Sequence, residues 1–291
     1  MVSVDNTGIT LLTLTLHWSA LFAVLGVWIA AEVAARLATR DRQNPAHVWR
    51  GLVWVVLCGL IGGRLWFVLF PPDSVVDNGL TAVWLLSHFF DLNQGAVALW
   101  VGGLGLIGAM IGGVIGLLIY TRRRKLPFLY WLDLAAIVLP LAQAIGRLGN
   151  GANQDLYGPP TNLFWGMLVS DKAQRVGPYR DLTRYPLDTT RFHPVYFYEM
   201  ILLAAIFVVL LTIFVRYRER FGAGDIVLLY VTSYGMGRFL LEFLRVNVSH
   251  MGNLNISQAV IGLAALAALI VLLRRANVNR PFRQKPEENS Q

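Results

Sequence analysis

Apolar runs long enough to cross a bilayer recur along the whole of this chain. That pattern constrains the fold more than any motif, because a segment in hydrocarbon must satisfy every backbone polar group internally, and a helix does so within one run of about 20 residues. The runs predict spanning helices at about 11–35, 51–70, 96–120, 129–147, 195–215, 224–243 and 256–273. Hydrophobic residues make up 56% of the chain, charged ones only 14%, and the mean hydropathy is +0.54. These values lie outside the range of ordinary soluble domains and make the chain an integral membrane protein. The expectation is an all-α, polytopic bundle of about seven transmembrane helices, one domain over 1–279. A polar tail, 280–291, carries Pro281, Pro286 and Glu287-Glu288 and is expected to be disordered.

Loop charge predicts the orientation. Arg36, Arg40, Arg42 and Arg50 follow the first run, Arg122-Arg123-Arg124-Lys125 the third, Arg216, Arg218 and Arg220 the fifth, and Arg274-Arg275 the last. Basic loops stay cytoplasmic, so these ends are expected inside, the N-terminus outside and the C-terminus inside. Pro71 to Asn93 has Asp73, Asp77 and Asp91 but no Lys or Arg, as an outer segment would. Asn150 to Phe192 then falls on the outer face, longer than a helix connection requires, and is expected to line or lid a site. Met1 to Asn6 lacks the basic start of a cleavable leader, so the first run is expected to remain as a helix.

The net charge of +8 comes almost wholly from arginine, with Lys125, Lys172 and Lys285 as the lysines. Arginine suits two-pronged phosphate contacts as well as anchoring at the lipid interface. The basic residues are divided among loops without the aromatic interleaving of a nucleic-acid surface, and no such partner is expected. Cys58 is the sole cysteine, which excludes a disulfide within the chain, and is read as packing. No metal-ligand spacing, phosphate-binding loop or serine triad stands out, so neither metal nor cofactor is expected.

Four constellations concentrate the polar chemistry. Gly146-Arg147-Leu148-Gly149-Asn150-Gly151-Ala152-Asn153-Gln154-Asp155-Leu156-Tyr157-Gly158 follows an apolar run directly. Arg147 there can hold a phosphate, Asn150 and Asn153 can share a helix face, and the glycines admit close approach; an arginine snorkelling at the interface is the plainer reading. Tyr234 to Arg245 places Arg238 and Glu242 at i and i+4 on one apolar helix, so both point inward, as an anion site or a packing ion pair. His193-Pro194 opens a helix, with His193 a proton acceptor, a phosphate-binding cation or a cap, and Glu199 in the first turns expected to turn away from lipid. Glycines 59, 62, 63, 102, 103, 105, 108, 112 and 113 signal close packing of the second and third helices, with Arg64 the exception among them.

The Gly146 to Gly158 stretch closely resembles the signature of the prolipoprotein diacylglyceryl transferases, usually G-R-x-G-N-x-x-N-x-E-x-x-G. In the family's order it is joined by Arg64, by Asp133 and Pro140, by His193-Pro194 with Tyr198-Glu199, and by the pattern from Tyr234 through Arg238 and Glu242 to Arg245. The resemblance implies transfer of the diacylglyceryl group of phosphatidylglycerol to the lipobox cysteine thiol of a preprolipoprotein signal peptide, forming a thioether and releasing glycerol 1-phosphate. It implies catalytic roles for Arg147, Arg238, Glu242 and His193. Substrate contacts are implied for Arg147, Asn150, Asn153, Asp155, Gly158, Tyr234, Arg238, Arg64 and Glu199. It implies a multi-pass protein of the bacterial inner membrane, with lipid as a partner and no catalytic cysteine of its own.

Three positions depart from the family pattern. Ile107 stands where a His or Tyr is usual and cannot accept a proton, Ser19 takes the place of a tyrosine, and the signature glutamate is Asp155. His193, His17 or solvent at the lipid boundary are left as substitutes for the missing base. Two other classes therefore stay open: a paralogue that binds phosphatidylglycerol or signal peptides without turnover, and an anionic-solute transporter. The latter predicts a repeat with broken helices in both halves, which the sequence lacks.

Overall fold

The computed structural model describes residues 2–4, 8–11, 14–98, 103–246, 250–251 and 254–278. The strands β1 (Val2–Val4), β2 (Gly8–Leu11) and β3 (Leu14–His17) form an antiparallel sheet, β1-β2-β3, ahead of helix α1 (Trp18–Arg40). The expected first helix over 11–35 thus begins later and runs further. Leu14-Thr15-Leu16 has the period of a strand, and the β-branched threonines favour it. His17, considered above as a base, ends β3.

The remaining elements are α2 (Ala46–Leu69), the short α3 (Asp73–Val76) and α4 (Ala82–Ser87), α5 (Leu106–Arg124), α6 (Phe128–Ala152), α7 (Val195–Arg216), α8 (Asp225–Glu242) and α9 (Ile256–Val278). Among the described residues, two short antiparallel pairings also occur, β4 (Met167–Leu168) with β5 (Arg191–Phe192) and β6 (His250–Met251) with β7 (Leu254–Asn255), together with an isolated bridge from Pro160 to Phe192. Among the described residues, six helices are long and apolar enough to cross a membrane: α1, α2, α5, α6, α7 and α9. The seventh expected crossing, α8, has 18 residues, and Asp225, Arg238 and Glu242 make it less apolar. All three of those side chains are buried, so its polar groups face protein. The tail from 280 onward lies outside the described residues.

The third helix is the largest correction to the expected boundaries, since α5 starts at Leu106 and not near 96. Gly103 has φ +77°, a left-handed conformation, and Gly105 is extended, so the glycine run cannot continue a helix upstream. Arg64 of α2 accounts for part of this bend. Its guanidinium donates to the carbonyls of Gly95 at 2.6 Å, Ala96 at 2.7 Å and Gly103 at 3.2 Å, which no helix satisfies.

Close packing of α2 and α5 follows from glycines at every fourth position. A Cβ at Gly108, Gly112 or Gly116 would run into the backbone carbonyls of Gly62, Cys58 and Trp54 respectively. Cys58 itself is only half-buried. Helix α1 lies along α6 through an alanine face, Ala30, Ala34 and Ala38, and α6 packs on α7 and α8 around Ile137, Leu203, Leu210 and Tyr230. The basic helix ends meet at one end of the bundle. Arg40 donates to Val215 O, Arg218 pairs with Asp41, and Arg275 pairs with Asp225 at 2.9 Å.

Asp133 of α6 caps α8 from a neighbouring helix. Its carboxylate accepts from the backbone N–H of Gly224 at 2.7 Å and of Val227 at 2.9 Å, two of the donors a helix start leaves unpaired. Asp133→Ala is expected to cost about 1–2 kcal/mol, as loss of an N-cap does. Thermal unfolding in detergent would show it as a lower melting temperature.

Candidate functional site

The site is built on the end of α6 opposite the basic bundle end. The helix continues past the expected residue 147 to Ala152, so Arg147 and Asn150 lie one turn apart, and Arg147 Nη1 donates to Asn150 Oδ1 at 3.3 Å. Glycine is required here for contact: a Cβ on Gly149 would sit 2.5 Å from Ser19 Cα, so Ser19, at the departed tyrosine position, is backbone packing for the signature. After the helix, Gln154 and Leu156 both have φ +56°, left-handed and costly for residues other than glycine. The turn is held in place by Gln154, whose Oε1 accepts from the Ser170 N–H at 2.7 Å. Leu156 O accepts from the Tyr196 N–H at 3.1 Å. Asp155 is thereby folded back onto α6, where Asn150 Nδ2 donates to its Oδ1 at 2.8 Å.

Five charges of alternating sign run from α6 across α7 to α8 and beyond. Arg147 Nη2 lies 2.7 Å from Glu199 Oε1. Glu199 Oε2 lies 3.4 Å from Arg238 Nη1, and Arg238 Nη2 lies 3.0 Å from Glu242 Oε2. Glu242 Oε1 then lies 3.2 Å from Arg245 Nη1. Tyr234 OH also donates to Glu199 Oε1, at 2.9 Å, and Asn255 Nδ2 to Glu242 Oε1, at 3.3 Å. Glu199 is fully buried at 0% exposure, with three donors converging on it. Two polar atoms of the row, Arg147 Nε and Arg238 Nε, are buried without a partner. The row itself has three arginines against two glutamates, and the Asp155 carboxylate lies beside Arg147 and Arg245 as a third acid.

Two cavities meet at this row. One, of about 410 Å³, is polar and lined by Arg147, Asn150, Asp155, Gln174, Arg180 and Arg245 among others. The second, of about 250 Å³, is lined by Trp66, Phe67, Phe70, Leu104, Ile107 and Ile261, with Arg238 and Ser257. Arg147, Leu156 and Arg245 line both, so two guanidiniums stand where a polar chamber adjoins one walled largely by aromatic and aliphatic side chains. Burial pushes the Asp155 carboxyl above the usual carboxylate range, opposed by the hydrogen bond from Asn150 and the charge of Arg147.

The sequence-predicted residues divide into two groups. Arg147, Asn150, Asp155, Glu199, Tyr234, Arg238 and Glu242 come together in one connected network. His193, Gly158, Asn153 and Arg64 line neither cavity. His193 Nδ1 is 3.0 Å from Tyr198 OH, which accepts from Trp165 Nε1 at 2.8 Å. Gly158 donates to His193 O at 2.8 Å and packs so tightly that a Cβ would lie 2.6 Å from Leu244 O. Asn153 caps the end of α6, and its Oδ1 is buried without a partner. Arg64 is taken up by the backbone carbonyls described above.

Arg245 was not singled out as a site residue, although it ends the sequence pattern three residues after Glu242. Tyr157 lies within the signature stretch but has no role assigned by it, and Gln174 and Arg180 carry no sequence signal, because they enter the polar cavity through the fold of the long connection.

A family model described as prolipoprotein diacylglyceryl transferase matches residues 7–274. The chain belongs to the prolipoprotein diacylglyceryl transferase family. A phosphatidylglycerol–prolipoprotein diacylglyceryl transferase of Chloroflexus aggregans is 34% identical, over 94% of this chain and 89% of its own. One from Trichormus variabilis is 32% identical over 90% of this chain and 88% of its own, and one from Thermotoga maritima 34% over 89% and 78%. Within a prolipoprotein diacylglyceryl transferase fold, Ile107 lines the second cavity, so the side chain that departs from the pattern shares a cavity with Arg147, Arg238 and Arg245.

Proposed function

We propose that this chain transfers the diacylglyceryl group of phosphatidylglycerol to the lipobox cysteine of a preprolipoprotein signal peptide. The observation that carries the reading is that, at Arg147 and Arg245, a polar cavity meets one with arginines on one side and aromatic and aliphatic side chains on the other. A phospholipid has the same division, with glyceryl carbon and acyl chains on one side of the phosphate and headgroup on the other. In the step, the thiol sulfur bonds to the terminal glyceryl carbon, the carbon–oxygen bond to phosphate breaks with its electron pair on oxygen, and the thiol proton leaves to water. The products are a thioether and glycerol 1-phosphate.

Arg147, Arg238 and Arg245 would hold the phosphate and offset the charge that develops on the departing oxygen. Glu199, Glu242 and Tyr234 orient those guanidiniums, and Asn150 and Asp155 meet the headgroup. Gly158, Asn153, His193 and Arg64 serve by framing the site. Ile107 offers no proton acceptor, but positive groups lower the pKa of a nearby thiol, so the arginine cluster itself favours the thiolate. The bundle then sits in the bacterial inner membrane, N-out and C-in, with the 153–194 connection on the outer face where exported precursors arrive. The gathering of Arg40, Arg218 and Arg275 at the opposite end supports that orientation.

The test supplies purified protein with phosphatidylglycerol micelles and a lipobox peptide. The expected result is a peptide heavier by one diacylglyceryl group, with none formed from the Cys→Ser peptide. Arginine-dependent lipid binding without any modified peptide would contradict the transferase and leave a binding paralogue.

A further inference from the structure

We propose that Arg180 receives the phosphate monoester product at the mouth of the polar cavity, a role that rests on the transfer reaction proposed above. Breaking the carbon–oxygen bond changes the charge of the phosphate. A diester lipid is a monoanion, whereas a phosphate monoester carries about −1.5 to −2 at pH 7 because its second ionisation lies near pH 6. With Glu199, Glu242 and Asp155 set against its three arginines, the inner site has no further positive charge to meet the one the product gains.

The polar cavity supplies the missing charge. Of its three arginines, Arg147 pairs with Glu199 and Arg245 with Glu242. Among the described residues no carboxylate pairs with Arg180. Its Nε donates to Arg175 O at 3.1 Å, which fixes the stem of the side chain and leaves the guanidinium fork to a ligand. The anchor is itself rigid. Arg175 is fully buried, donates from Nε to Val169 O at 2.8 Å, and stacks 4.4 Å from the centre of the Phe192 ring. Arg180 closes the short turn Gly177–Arg180, opened by Gly177 at φ +55°, on the long connection that covers this end of the bundle. A dianion leaving the inner row therefore meets an exposed, uncompensated guanidinium before it meets bulk water.

The experiment titrates sn-glycerol phosphate into the purified full-length protein in phosphatidylglycerol-free detergent, read by calorimetry at pH 7.5 and pH 5.5. Arg180→Gln is compared with wild type, with Arg180→Lys, and with Arg184→Gln, which removes an exposed charge of the same connection outside the cavity. At pH 7.5 Arg180→Gln is expected to weaken binding about tenfold, the size of one charge-assisted contact. Arg180→Lys should recover part of the loss, and Arg184→Gln should bind as wild type. At pH 5.5, where the ligand is mostly a monoanion, the gap between wild type and Arg180→Gln should narrow. Equal binding by wild type and Arg180→Gln, no binding by wild type, or an equal loss in Arg184→Gln would each overturn the proposal. A wild-type protein that binds glycerol phosphate through Arg180 yet yields no thioether would instead overturn the transfer reaction.

Discussion

Arg147→Ala is expected to lower the turnover of phosphatidylglycerol by about 10²–10³-fold, the usual cost of removing a preorganised donor from a developing anion. Arg147 is where the two cavities meet and where the α6 signature joins the ion-pair row through Glu199. Its Nε is buried without a partner, so the guanidinium has capacity that the protein itself does not use. Arg147→Lys keeps the charge but loses the two-pronged geometry, and should fall between the two, with a loss of about tenfold or more. Rates measured with lipid well above KM separate this from weaker lipid binding. Near wild-type turnover in Arg147→Ala would remove Arg147 from the chemistry.

The largest effect on stability is expected from Glu199. Its two oxygens accept from Arg147, Arg238 and Tyr234 in a setting that excludes water entirely. Glu199→Ala leaves the half-buried Arg147 without its carboxylate, the buried Arg238 with Glu242 alone and a buried phenol unpaired, and breaking a buried pair in this way costs about 3–5 kcal/mol. Glu199→Gln keeps the shape and one acceptor oxygen, so it should unfold between the two while still losing activity through misplaced arginines. Thermal unfolding of the three proteins in the same detergent gives the order directly. A Glu199→Ala protein that melts with wild type would mean that the row contributes nothing to holding α6, α7 and α8 together.

The site was legible in the sequence wherever a charge interrupts an apolar helix. Glu199, Arg238 and Glu242 each sit in a segment too hydrophobic to tolerate them facing lipid, and each is buried against a partner. Arg147 and Asn150 stood out by the same contrast at the end of α6. Arg64 gave an identical signal for a different reason. An arginine in an apolar helix must find acceptors, and here the acceptors are the carbonyls of a bent connection. Sequence contrast reveals that a charge is inward, not what it meets there.

The rest depended on backbone geometry that hydropathy cannot express. Glycine and leucine between 96 and 106 average to an apolar run, but Gly103 at positive φ breaks it before α5 begins. Arg180 and Gln174 lie far from the signature in sequence and reach its cavity only because Gln154 ties the connection back at Ser170 and Asp171. His193 illustrates the converse. Its position before a proline-started helix drew attention, and the fold turns its ring to Tyr198 on the same segment.

The product balance of a single reaction tests the central claim most directly. Purified protein, phosphatidylglycerol and a lipobox peptide should yield glycerol phosphate and thioether peptide in equal amounts, because in the proposed reaction the phosphate leaves with its headgroup. Free glycerol in place of glycerol phosphate would mean attack at phosphorus, and lysophosphatidylglycerol with a thioester peptide would mean acyl transfer. Either result would contradict a site whose arginines hold the phosphate as a leaving group.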